Sequence, residues 1–219
     1  MRLANKIILA SLNNDKLFEF RDLLKAHAAA VGDIDLVSAE AVLRNPEKLG
    51  MVENHNTYLE NATAKARLCN HGSHYPSLSD DSGLEVAALQ GKPGVRSHRY
   101  AKIPAGQISS RMNQDKANID QLLTEMKGKS DRSAKFVCAL SLVIEGILVH
   151  ATGTLEGTIA ESPKGENGFG YDSVFVPSGS SKTLAEMTMS EKNGISHRKL
   201  ALDRLILEIR ARGIVFAKP

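Results

Sequence analysis

Ala134-Lys135-Phe136-Val137-Cys138-Ala139-Leu140-Ser141-Leu142-Val143-Ile144 is the stretch that decides the fold class. Phe136, Cys138, Leu140, Leu142 and Ile144 alternate with Val137, Ala139 and Val143, so an extended chain here carries apolar side chains on both faces. That pattern belongs to a central strand covered on both sides. Glu145-Gly146 then offers a two-residue turn into a second run at 147–152, the signature of a hairpin, with a further strand expected near 153–159. Upstream, Ile7-Ile8-Leu9-Ala10 reads as a short buried strand, and 34–37 as another. Helices are expected between and after these runs. Leu17, Phe20, Leu23, Leu24 and His27 mark the first, a segment opening at Thr57 and ending near Gly72 the second, and Ile108, Met112, Ile119, Leu122 and Met126 a long third. Ala201, Leu202, Leu205, Ile206 and Ile209 mark the last. Strand runs interspersed with helices predict a mixed α/β sheet rather than a purely alternating one.

Composition narrows the function classes. A net charge of +3 is mildly basic, but the Lys and Arg residues are dispersed and aromatics make up only 5%, which argues against a nucleic-acid-binding module. No stretch approaches the length of a membrane span, and the apolar run after Met1-Arg2-Leu3-Ala4-Asn5-Lys6 is too brief for a signal peptide. Cys69 and Cys138 fall in a helical and a strand pattern without metal-ligand spacing. A cytoplasmic protein with both thiols reduced and buried is the expectation.

Five stretches carry chemistry. Leu78-Ser79-Asp80-Asp81-Ser82-Gly83-Leu84 sets an acidic pair on what reads as a small-residue turn after a short extended run. Adjacent carboxylates suit a hard divalent cation, which takes one or two protein oxygens and completes its shell with water and phosphate; an ordinary solvent-facing turn has the same composition. Ser11-Leu12-Asn13-Asn14-Asp15-Lys16 leads from strand to helix, with Asn13 as a candidate N-cap. Amide groups at such a helix start, with Lys16 beside them, favour an anion. Glu60 stands three residues after Thr57, so it fits a capping box as well as a metal site, while Asn61 and Lys65 share a helix face. Finally, the glycines around Phe169 in Gly168-Phe169-Gly170-Tyr171-Asp172 let backbone approach a ligand while presenting a ring able to stack on a base. His197 and Arg198 open the last helix, where cations oppose the dipole unless an anion or carbonyl meets them.

Taken together these segments resemble one family, the inosine/xanthosine triphosphate pyrophosphatases of the Ham1 type. The matches are Ser11 to Lys16, Glu60-Asn61-Ala62 with Lys65-Ala66, Ser79 to Leu84, Pro93-Gly94-Val95 with Ser97 and Arg99-Tyr100, Gly168 to Asp172, and Glu191-Lys192 with Ile195-Ser196-His197-Arg198. They occur in family order across nearly the whole chain. The resemblance implies a single domain over 1–219, an elongated mixed β-sheet with flanking helices and two lobes around a central substrate groove, and a homodimer. It implies Mg²⁺-dependent hydrolysis of ITP, dITP and XTP to monophosphate and pyrophosphate. Carried over by position, Asp81 would be general base and metal ligand, with Glu60 as the second ligand. Ser11, Asn13, Asn14, Lys16 and Ser82 would hold the triphosphate. Phe169, with Gly170, Tyr171 and Asp172, would receive the base, and Lys192, His197 and Arg198 would surround phosphates and purine.

Overall fold

A computed structural model describes residues 2–103 and 110–217. Its strands are β1 (Arg2–Ala4), β2 (Lys6–Leu9), β3 (Asp35–Ser38), β4 (Ser77–Val86), β5 (Ser133–Ile144), β6 (Ile147–Ile159), β7 (Phe175–Pro177) and β8 (Val215–Ala217). The α-helices are α1 (Asn14–Lys25), α2 (Ala28–Val31), α3 (Lys48–Met51), α4 (Tyr58–Ser73), α5 (Arg111–Glu125), α6 (Met189–Ile195) and α7 (His197–Ala211). A six-stranded sheet runs in the order β3-β2-β4-β5-β6-β7, and β1 pairs with β8 in a separate ribbon. β2 is parallel to both β3 and β4, whereas β6 is antiparallel to β7, so the sheet is mixed as the strand pattern predicts.

Contacts divide the chain into two compact units. The first comprises Met1–Asp81, Cys138–Gly153 and Arg198–Pro219. Here the period of two in β2 is decisive. Ile7 and Leu9 enter a core with Leu17, Phe20, Leu23 and Leu24 of α1 and Leu202, Leu205, Ile206 and Ile209 of α7, while Ile8 joins Leu49 and Cys69 on the other face. Both faces are therefore apolar, which a parallel strand between helices requires. The first unit's helix ends are capped locally: Asn13 Oδ1 accepts from the Asp15 amide at 3.0 Å, and Thr57 Oγ1 from the Glu60 amide at 3.2 Å.

The second unit, Ser82–Val137 with Thr154–His197, has its own core of Leu84, Leu122, Met126, Phe136, Val174 and Phe175, among others. Phe136 and Phe175 meet at 4.6 Å between centroids, tilted by 51°. Asn118 is buried in this unit and satisfied throughout: it donates to the Ser97 and His98 carbonyls and accepts from the Ala101 amide at 2.8 Å.

The structure departs from the sequence reading at four places. The acidic stretch is not a turn but the middle of β4, and 147–159 forms one strand rather than two. The long third helix begins at Arg111, capped by Ser110, and Met112 is 80% exposed rather than core, while Ile108 lies outside the described residues. The stretch from Asn193 is not a single approach to the last helix: α6 ends at Ile195 and Ser196 separates it from α7. The Glu145-Gly146 turn itself is as expected, with φ of 46° and 81°, the left-handed pair a type I′ hairpin demands.

Candidate active site

In the first unit, a set of charged side chains converges on Asp80 and Asp81. Consecutive strand residues project to opposite faces, so the two carboxylates have separate surroundings. Asp81 Oδ2 accepts from Asn61 Nδ2 at 3.0 Å, and its Oδ1 lies 3.7 Å from Lys65 Nζ. Asn61 and Lys65 sit one turn apart on one face of α4, as their spacing predicts, and both reach this carboxylate. Burial pushes the Asp81 carboxyl above its ordinary value, and this outweighs the opposing pull of Lys65 and Lys16. Lys65 shows the reverse balance. Burial alone would lower its pKa, but Glu53, Asp81 and Asp80 together hold it raised, so the ammonium stays charged.

Asp80 is fully buried. Its carboxylate pairs with Lys16 Nζ, stands 3.4 Å from Arg198 Nε and accepts from Cys138 Sγ at 3.2 Å, while its carbonyl accepts from Lys65 Nζ at 2.7 Å. Arg198 Nη1 in turn donates to Glu19 Oε2 at 2.9 Å, both groups buried. This answers the question posed by a cation at the start of α7: carboxylates from α1 and β4 compensate it. Ser11 and Asn13 form the turn into α1, where Ser11 Oγ accepts from the Asn13 amide at 3.2 Å. Asn14 is the first, exposed residue of that helix.

Glu60 is exposed at the start of α4, and its carboxylate accepts from the Thr57 hydroxyl at 2.8 Å. A different carboxylate, Glu53, shares the Lys65 ammonium with Asp81. Sequence reasoning missed it because a lone acid in the polar loop before α4 carries no local signal.

In the second unit, Phe169 sits on a turn built around Asp172. Asp172 Oδ2 accepts from the Phe169 amide at 2.9 Å and from Lys192 Nζ at 2.6 Å, the Asp172 and Lys192 side chains being buried together. Gly168 has φ of 77°, and a Cβ there would stand 2.2 Å from the same Oδ2. Only glycine allows that close approach. The Phe169 ring carries two cations, Lys192 Nζ at 4.9 Å and Arg111 Cζ at 4.7 Å from its centroid. Arg111 was not among the residues that sequence reasoning selected. The Gly170 amide donates to Asp115 Oδ2 at 3.0 Å, and Tyr171 donates its hydroxyl to the Ser97 carbonyl at 2.9 Å. Burial raises the Tyr171 pKa, so it remains a donor. His197 is buried and stacks on Phe136, with centroids 4.7 Å apart and planes within 10°. Ser82, partly buried, follows Asp81 along β4.

The arrangement thus joins a desolvated carboxylate to fixed cations in one unit, and a presented aromatic ring to a buried lysine in the other. Among the described residues no cluster of three or more His, Cys, Asp or Glu forms a metal cage. A donor set of one or two carboxylates suits a hard cation that arrives with a polyphosphate.

Residues 7–208 match the model of the Ham1 family. A protein of Aquifex aeolicus named dITP/XTP pyrophosphatase is 39% identical over 202 residues, covering 92% of this chain and 95% of that protein. One of the same name from Treponema denticola is 41% identical, covering 90% and 94%. The solved structure of the Staphylococcus aureus Ham1 protein superposes with a TM-score of 0.74 at 33% identity, covering 94% of this chain and 99% of that one. A nucleoside-triphosphatase / dITP/XTP pyrophosphatase from Mycobacterium abscessus does so with a TM-score of 0.68 at 38% identity, covering 91% and 97%.

Proposed function

The chain belongs to the Ham1 family, and on that premise we propose that it is a nucleoside triphosphate pyrophosphatase acting on deaminated purine nucleotides. Its substrates are dITP, ITP and XTP, cleaved between the α and β phosphates to monophosphate and pyrophosphate. The observation that carries the reading is Asp81, a desolvated carboxylate of raised pKa beside the charged Lys65. A carboxylate so placed is a stronger base than one on the surface, and the neighbouring cations meet the charge of the phosphates.

Asp81 orients the attacking water and takes its proton. Lys65 and Asn61 hold that carboxylate in place. Lys16 and the amides at the start of α1, with Asn13 as cap, bind the triphosphate. Mg²⁺, when bound, compensates charge on the attacked phosphate and on the leaving pyrophosphate. Asp81 and Glu53 are the carboxylates that would hold it, since both already face one cation, Lys65; Glu60, engaged with Thr57, is the alternative second ligand. Phe169 stacks on the base, with Lys192 and Asp172 fixing its turn. Arg198 has only donors to offer, so a 6-keto oxygen can accept from it, whereas the 6-amino group of adenine presents hydrogens instead.

Buried thiols at Cys69 and Cys138, neither in a disulfide, support a reducing cytoplasmic setting, and no helix among the described residues is long and apolar enough to cross a membrane. A homodimer is part of the same proposal and is tested by light scattering. The reaction itself is tested with Asp81→Asn: XTP binding should persist while release of xanthosine monophosphate and pyrophosphate stops. Unchanged turnover would remove Asp81 from its role.

A further inference from the structure

Asp80 carries no step of the reaction above, yet it is fully enclosed and engaged from several sides. Its surroundings come from four other elements. Lys16 reaches it from α1, Arg198 from α7, and Cys138 from β5, while Lys65 of α4 takes the carbonyl of the same residue in β4. A carboxylate wholly out of solvent is poorly placed to meet metal-bound water or a polyphosphate. Unpaired it would be costly, and here two cations meet it. These are the two cations that the proposed function assigns to opposite ends of the substrate, Lys16 to the triphosphate and Arg198 to the purine.

We propose that Asp80 is a positioning residue, a buried clamp that fixes Lys16 and Arg198 relative to each other, so that phosphate binding and base selection are set from one carboxylate. The inference rests on the functional reading of those two cations. Three features make the clamp specific. The pairs to Lys16 and Arg198 use different carboxylate oxygens, Oδ1 and Oδ2. Arg198 is held from a second side by Glu19, so loss of Asp80 leaves it tethered but re-aimed. Lys16, partly exposed at 15%, retains room to reach a ligand while its rest position is defined. Prepaying that order before substrate arrives is what preorganisation means for two long side chains.

The test is Asp80→Asn, which keeps the shape and removes the charge, assayed with XTP and ATP and with inorganic triphosphate as a base-free competitor. The clamp predicts kcat/KM for XTP lower by about 10- to 100-fold, chiefly through KM. It predicts weaker inhibition by triphosphate and a collapse of the XTP-to-ATP preference, with the Mg²⁺ concentration for half-activation unchanged. In a Lys16→Met background, Asp80→Asn should add little to the loss of triphosphate inhibition, because its effect on phosphate runs through Lys16. Should Asp80→Asn fail to fold, Cys138→Val, which removes one donor to the carboxylate, should weaken triphosphate binding and the base preference together. A shifted Mg²⁺ requirement, a loss confined to kcat, or intact base preference would overturn the clamp. Wild-type protein that fails to hydrolyse XTP overturns the functional reading and the clamp with it, whereas active wild type with unaltered Asp80→Asn overturns the clamp alone.

Discussion

Replacing Glu19 by Gln takes one charge out of a pair that is almost entirely enclosed. The Glu19 and Arg198 side chains are only 3% and 5% exposed, and their hydrogen bond spans 2.9 Å between residues 179 positions apart. Deleting one partner of such a pair strands the other charge in a medium that solvates it poorly, at a cost of about 3–5 kcal/mol. Arg198 keeps Asp80 at 3.4 Å, so the lower end applies. For a domain of this size about 3 kcal/mol corresponds to a fall in Tm of roughly 6–12 °C. Thermal unfolding followed by circular dichroism measures it. The double replacement Glu19→Leu with Arg198→Met removes that pair but also takes one of the two cations from buried Asp80, so it should recover only part of the lost stability. A Glu19→Gln protein with unchanged Tm would refute the reasoning, because it would mean that the pair is solvated rather than enclosed.

The Asp81 carboxyl titrates above its ordinary value in the folded protein because it is buried, so its ionisation opposes folding. The penalty is absent below the unfolded value of 3.8, grows as pH rises from there to the folded value, and is constant above it. Asp81→Asn should therefore be more stable than wild type at neutral pH in metal-free buffer, the difference vanishing in acid; equal stability across the pH range would count against the buried carboxylate. Phe169→Ala should raise KM for XTP with kcat largely retained, stacking on a base being worth about 1–3 kcal/mol, or roughly 5- to 150-fold. Because the Phe169 turn is held through its amide and Asp172, the Tm should move little. Asn118→Ala leaves the His98 carbonyl and the Ala101 amide without their buried partner, while the Ser97 carbonyl keeps Tyr171. It should cost about 1–3 kcal/mol in urea unfolding, with a midpoint at the wild-type value contradicting the assignment.

Much of this architecture is legible in the chain because its signals are local. The two-faced apolar run of β5, the alternation in β2, the Glu145-Gly146 turn and the caps at Asn13 and Thr57 each depend on neighbours within a few residues. The acidic stretch was harder. Ser79-Asp80-Asp81-Ser82-Gly83 has the composition of a turn, yet it lies inside β4. Low intrinsic strand preference is overridden there by context: Asp80 is neutralised by Lys16 and Arg198, and Asp81 is held by Asn61 and Lys65. Those partners are remote in sequence, so nothing near the motif announces them. The same holds for Glu19, which reads as one more charge on an amphipathic helix, and for Glu53, which reads as loop. Arg111 was hidden differently, since a helix-terminal arginine gives no hint that Phe169 lies beneath it. Met112 is the converse case. Periodicity placed it in the core stripe, but the apolar face of α5 becomes buried only toward its C-terminal half, through Leu122 and then Met126, the residue that follows the helix.

The central claim is most directly tested by measuring pyrophosphate release from dITP, ITP, XTP, GTP, ATP and dTTP, each with Mg²⁺ and again with excess chelator. The account predicts rapid release from dITP, ITP and XTP, slow release from the other three, and none once the metal is chelated. Release that favours ATP or dTTP, or that persists unchanged in chelator, would contradict it.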